Sequence, residues 1–285
     1  MLKYRLIFGV LITAIFTGLV LLGGWFDGFL TTSTADDKTI KGSVLAILIA
    51  LLIIPAQKEL KSLAEAKKNK LMLPVTIPAA ILFAVSWYVL QFLNVDAGVY
   101  LSTLAAATLL GLFFYQNRCY GIEGVWQNCG VSIFSIIYLG ILSSFVLGIY
   151  IEFGLYIFLM FIFTVKVSDI GAYTVGKICG VHKFSPRISP KKTWEGMAGA
   201  AIAAAVTSVV FSVKCDIMAW YLAVVFGICF AFLGQLGDLA ESMLKRDAQT
   251  KDASNSIPGF GGILDIIDSP LGTAVFAYWF FKIIF

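Results

Sequence analysis

The chain has 285 residues, 59% of them hydrophobic and 13% charged, with a mean hydropathy of +0.90. A soluble domain is close to half apolar and a quarter charged, so this composition excludes a water-soluble globular fold. The net charge of +4 is modest and gives no reason to expect a nucleic-acid partner.

Apolar runs follow one another along the whole length, and about 20 apolar residues in a helix cross the hydrocarbon core of a bilayer. They predict helices over 6–26, 43–56, 71–93, 97–115, 129–149, 153–165, 197–213, 217–236 and 270–285. The first run follows Lys3 and Arg5, but it is longer than the apolar stretch of a secretory leader and lacks a small-residue cleavage site. It is expected to stay as a membrane helix. The second, sixth and ninth runs are short, so their helices are expected to extend into flanking residues.

Basic residues collect on the cytoplasmic side of membrane proteins. With the N-terminus inside, only Lys38, Lys41, Lys214 and Lys282 of the 21 Lys and Arg fall outside. The expected fold is therefore all-α, a polytopic transmembrane protein of about nine membrane helices with a cytoplasmic N-terminus and no internal repeat.

Between the second and third runs, residues 57–70 place Lys and Glu at helical spacing around Leu60, Leu63 and Ala64, which reads as an amphipathic helix lying at the interface. The five cysteines form no CxxC pair, and packing accounts for them better than a metal or a disulfide framework.

Two inner connections are long, 166–196 and 237–269, and both are polar. In the first, Gly171 to Lys177 fits GxxxxGK, yet Ile178 follows where a phosphate loop needs Ser or Thr, and a membrane helix precedes it where a strand is required. A phosphate loop is rejected. Lys166 and Asp169 sit at the end of the sixth run, where charges are costly unless they face protein or water. Residues 189–195 are expected to begin the seventh helix, with Pro190 early and Lys191 and Lys192 beside free N–H groups that could meet a phosphate.

In the second connection, a helix continuing through Asp238 would put Asp238, Ser242 and Lys245 on one face. Asp265 and Asp268 would share a face if helical. Carboxylates gathered in this way need a cation, and hard oxygen ligands suit Mg²⁺ completed by water and substrate phosphates. Lys245, Arg246 and Lys251 supply charge for phosphate oxygens. The turn from Pro258 through Gly259, Phe260, Gly261 and Gly262 offers backbone N–H groups to an anion.

These motifs resemble the phosphatidate cytidylyltransferase (CDP-diacylglycerol synthase) family. The matches are SDIGAY around Asp169, SPKKTWEG over 189–196 and GDLAESMLKR…KD…PG.GG.LD..D over 237–268. The resemblance covers about the last 120 residues. It implies a polytopic enzyme in the cytoplasmic membrane that joins CTP and phosphatidate into CDP-diacylglycerol and pyrophosphate. Mg²⁺ is the implied cofactor, with a monovalent cation such as K⁺ as an addition, membrane lipid as surroundings and a homodimer as an option.

Carried onto this sequence, the resemblance implies Asp238, Asp265 and Asp268 as metal carboxylates and Asp238, Asp265, Lys245 and Asp169 as catalytic residues. Ser242, Arg246, Lys251, Lys191, Lys192, Gly261 and Gly262 are the implied substrate contacts. Residues 1–130 are then N-terminal membrane helices and 131–285 a catalytic membrane region with a cytoplasm-facing site. The family usually has His and Arg where this chain has Phe260 and Ile266, which removes an imidazole donor and a guanidinium clamp. Two other readings are a CTP-dependent polyprenol or dolichol kinase and a membrane transporter; the transporter would call for mid-span charges and repeated halves, neither of which is visible.

Overall fold

In a computed structural model, residues 2–30, 40–250, 253–254 and 261–285 are described, with residues 2–8 described by backbone alone. Helix follows helix: α1 (Leu2–Phe26), α2 (Ser43–Ala66), α3 (Leu73–Ala84), the short α4 (Ser86–Val89), α5 (Ala97–Cys119), and α6 (Val125–Ile136). A π turn at Ile137–Ile141 joins α6 to α7 (Leu142–Phe153), and α8 (Leu155–Cys179) follows. A two-stranded antiparallel ribbon, β1 (Lys183–Ser185) with β2 (Ser189–Thr193), then leads into α9 (Trp194–Cys215), α10 (Trp220–Asp247) and α11 (Leu264–Ile284). Among the described residues, seven helices are long and apolar enough to cross a membrane, so the chain is an integral membrane protein.

One local expectation is met and two are corrected. The short sixth run extends as expected: α8 runs on to Cys179, so Lys166, Asp169 and the GxxxxGK decoy are helical. The decoy's glycine serves packing, because a Cβ on Gly171 would lie 2.7 Å from the carbonyl oxygen of Gly199 on α9. In a membrane, where lipid is as apolar as Leu, small residues that let backbones approach are what hold helices together.

The seventh helix does not begin at 189. Ser189–Thr193 is strand β2, paired through Lys183 with Thr193 and Ser185 with Ser189. Helix α9 starts only at Trp194, because the Thr193 side chain accepts the Gly196 N–H at 3.1 Å and caps it. Pro190 is tolerated in β2 because a two-stranded ribbon leaves each strand an edge without a partner.

Residues 57–70 form no separate interfacial helix. Helix α2 passes through Pro55 to Ala66, and Gln57, Glu59, Leu60 and Leu63 are buried on it.

The chain divides into two compact units, Met1–Ile151 with Ala248–Ile266, and Glu152–Asp247 with Ile267–Phe285. In the first, Met72, Ala79, Phe83, Leu112, Cys129 and Ile136 make an apolar core. Asp27 is buried there and accepts from Gly42 N at 2.8 Å and Tyr150 Oη at 2.9 Å, tying α1, α2 and α7 together. Each such bond to a charged group contributes about 1.5–3 kcal/mol.

The second unit packs Ala200, Ala204 and Ala231 against one another. It also stacks Phe226 on Phe230 with centroids 4.2 Å apart. All five cysteines are free thiols, and only Cys129 is buried. Packing therefore accounts for that one.

Candidate functional site

The site grows out of α10. Its helical run to Asp247 puts Asp238, Glu241, Ser242 and Lys245 on neighbouring turns, and the Ser242 hydroxyl donates to Asp238 Oδ1 at 3.1 Å. Lys245 pairs with Glu241 one turn back, the favoured Glu-to-Lys order on a helix. Asp268 arrives from α11 because two glycines let the backbones meet: a Cβ on Gly272 would lie 2.8 Å from the Gly237 Cα. The consequence is a group of three carboxylates, Asp238, Glu241 and Asp268, whose ligand oxygens lie within 4.8 Å of one another.

Burial makes this group costly. Glu241 is fully buried and Asp268 nearly so, whereas the Asp238 side chain keeps a third of its surface. Taking a carboxylate out of water costs several kcal/mol unless opposite charge or donors compensate. Asp268 Oδ1 accepts from Ser269 N at 2.6 Å and Ser269 Oγ at 3.2 Å. Asp238 receives Lys192 at 2.9 Å from strand β2.

Lys192 also donates to the Gln235 carbonyl at 3.0 Å, and the Gln235 side chain donates to Asp169 Oδ1 at 3.3 Å. Lys166 lies 3.6 Å from Asp169 Oδ2. Among the described residues, three lysines thus face four carboxylates, an excess of negative charge at the site.

Two oxygens bound to one Mg²⁺ sit at most about 4.2 Å apart, so oxygens already within 4.8 Å need little movement to share a cation. The chemistry of the donors agrees: hard oxygens, with Asp238 open to solvent on one side. The residues present fit a divalent ion.

The structure brings together Asp238, Asp268, Ser242, Lys245, Lys192 and Asp169 of the sequence-predicted set. Arg246 lies beside them in sequence but is exposed, its Nε donating to the Ile188 carbonyl at 3.1 Å. Lys191, next to Lys192 on β2, is exposed where the register of the ribbon shifts. Lys251 and Phe260 lie outside the described residues. Ile266 begins α11 with its N–H on the Ile263 carbonyl at 3.0 Å.

Asp265 and Gly262 belong to the first unit's share of this region. Asp265 Oδ2 accepts Gly262 N at 2.7 Å and Ala253 N at 3.3 Å.

Two functional candidates escaped the sequence reading. Glu241 sits three residues after Asp238 and four before Lys245, a spacing that carried the signal. Glu59 sits in the Lys- and Glu-rich end of α2, about two hundred residues away in sequence. It accepts from Ser254 Oγ at 2.7 Å, Ile263 N at 3.0 Å and Leu264 N at 2.9 Å. Nothing local in the sequence marks it.

Comparison with known proteins gives the family. A family profile described as the Cytidylyltransferase family matches residues 3–284. A phosphatidate cytidylyltransferase of Staphylococcus saprophyticus is 32% identical over 240 residues, 81% of this chain and 87% of that protein. One from Staphylococcus haemolyticus is 31% identical over 80% of this chain and 86% of its own length. One from Bacillus subtilis is 44% identical over 113 residues, 39% of this chain and 42% of that protein.

Proposed function

We propose that this chain, which belongs to the cytidylyltransferase family, is a nucleotidyltransferase that condenses CTP with phosphatidate to give CDP-diacylglycerol and pyrophosphate in phospholipid synthesis. The observation that carries the reading is the gathering of Asp238, Glu241 and Asp268 within 4.8 Å beside Lys192 and Lys245. Such a group matches a reaction between two anions.

In this reaction a phosphatidate oxygen forms a bond to the α-phosphorus of CTP as the bond to the pyrophosphate oxygen breaks. A phosphate monoester has its second pKa near 6, so the nucleophile is already largely ionised at neutral pH and no strong base is required. Repulsion is the obstacle. Lys192, Lys245 and Arg246 offset it by placing positive charge near the phosphates, with Lys251, Lys191 and the Gly261–Gly262 backbone as further proposed contacts.

Asp238, Glu241 and Asp268 would hold a cation, Mg²⁺ in this proposal, with a monovalent ion such as K⁺ as an addition. Asp265, one turn ahead of Asp268 on α11, joins them on the strength of the motif resemblance. The chemistry a divalent ion supplies when bound is charge neutralisation and Lewis acidity at phosphoryl oxygens. Asp169 orients Gln235, which holds Lys192 through its carbonyl.

The distribution of Lys and Arg supports a site facing the cytoplasm in the inner membrane, with catalysis in residues 131–285 and lipid-facing helices in 1–130. A homodimer is the proposed assembly, checked by cross-linking in native membranes.

The test is purified protein with labelled CTP and phosphatidate, with and without Mg²⁺. CDP-lipid and pyrophosphate are expected only with the metal. Phosphorylated lipid and CDP would point to terminal-phosphate transfer, and no reaction at all would overturn the proposal.

A further inference from the structure

Glu59 lies outside the acidic cluster. This carboxylate is 5% exposed, on a helix of the N-terminal region, in a stretch whose sequence reads as an amphipathic helix at the interface. Its three hydrogen bonds come from two stretches of chain, Ser254 on one side and Ile263 and Leu264 on the other. Asp265 binds the same two stretches through Ala253 N and Gly262 N. The two carboxylates therefore hold residues 253–254 and 262–264 in common, and Glu59 receives the N–H groups that open α11, which a helix cannot satisfy by itself.

Gly262 gives independent support. A Cβ there would fall 2.4 Å from Glu59 Oε2 and 2.7 Å from its Cδ, so any side chain at this position would push the carboxylate off its donors. The second glycine of the Gly261–Gly262 pair thus leaves room for the carboxylate packed against it, whatever its backbone does for a phosphate.

We propose that Glu59 is a positioning residue for the reaction: it anchors the start of α11 and so sets the placement of Asp265. The inference rests on the reading of Asp265 as part of the active site, and it gives the N-terminal helices a role in catalysis beyond facing lipid.

Three measurements on the full-length protein test it. Glu59→Gln keeps the shape but exchanges an acceptor for a donor against the Ile263 and Leu264 N–H groups. It is expected to lower kcat about tenfold or more, with KM for CTP within about threefold, because Glu59 does not touch the nucleotide. Ser254→Ala, which removes one donor of three, should lower kcat by about threefold and cannot unfold the helix bundle. If the clash is real, Gly262→Ala should be harmful alone but add less than about twofold in a Glu59→Ala background.

Hydrogen exchange over residues 253–266 gives a readout independent of turnover: Glu59→Gln should raise it by about tenfold or more. Unchanged exchange and kcat in Glu59→Gln would overturn the proposal, as would a full additional loss from Gly262→Ala in the double variant. A wild-type protein that makes no CDP-lipid would overturn the functional reading instead, while the exchange result would still decide the anchor.

Discussion

Two sets of carboxylates in this molecule are stabilised in opposite ways. Asp238 and Glu241 meet lysine side chains and stand within 4.8 Å of each other and of Asp268. Glu59 and Asp265 instead receive backbone N–H groups, from Ala253, Gly262, Ile263 and Leu264 among the described residues, with the Ser254 hydroxyl beside them. A side-chain cation can move aside or be joined by another ion, whereas a backbone amide cannot leave without unwinding the chain. The first arrangement suits exchangeable charge, and the second suits fixing a loop. Motif resemblance alone treats Asp265 and Asp268 alike; in the structure Asp268 takes the N–H and hydroxyl of its own neighbour Ser269, whereas Asp265 takes N–H groups from two separate stretches of chain.

The sharpest way to break this contrast is Asp268→Asn. If the first set is a cation site, CDP-lipid synthesis should fall by about 1,000-fold, several kcal/mol of transition-state stabilisation, with the protein still folded by thermal melting. Chelation of the wild type should mimic it and added Mg²⁺ should restore activity. Substantial activity in Asp268→Asn would remove the distinction.

Next in size is the Glu241–Lys245 pair. Lys245→Met withdraws the ammonium from a fully buried carboxylate and should cost about 3–5 kcal/mol of stability, read as a lowered melting temperature. Adding Glu241→Gln should recover most of that stability, but not activity if Glu241 holds the cation. Recovery of both would make the pair purely structural.

A smaller contrast compares neighbours on one strand. Lys192→Ala, which takes a lysine from Asp238, should reduce turnover about tenfold to a hundredfold, whereas Lys191→Ala, which removes an exposed phosphate contact, should cost about threefold to fivefold. Steady-state kinetics of both variants checks this; equal losses would place the two lysines in one role.

The least effect is expected from restoring the family's usual residues. Phe260→His with Ile266→Arg should raise turnover about tenfold, the effect of about 1.4 kcal/mol from a restored guanidinium contact, read by steady-state kinetics.

Much of this was readable from periodicity. The long apolar runs, the helical face shared by Asp238, Ser242 and Lys245, and the refusal of a phosphate loop at Gly171 all follow from local spacing, and α8 and α10 agree with them. Where the sequence misled, a tertiary partner decided the outcome. Pro190 reads as a helix start, but the pairing of Ser189–Thr193 with Lys183–Ser185 makes it strand. Thr193 was the better signal, since a hydroxyl directly before an apolar run is an ordinary helix cap. Glu59 resembles any solvated glutamate of a Lys-rich turn, and only residues about two hundred positions away give it meaning.

The ribbon that carries Lys192 has a consequence of its own. Lys183 pairs with Thr193 and Ser185 with Ser189, so two steps on β1 answer four on β2 and the register shifts between those pairs. Pro190, Lys191 and Lys192 fall in that irregular stretch, where side chains are re-aimed out of the plain pleat; there Lys191 is exposed and Lys192 reaches Asp238. Extra length in one strand, with no change in the charge of the segment, thus decides which ammonium serves chemistry and which meets the surroundings.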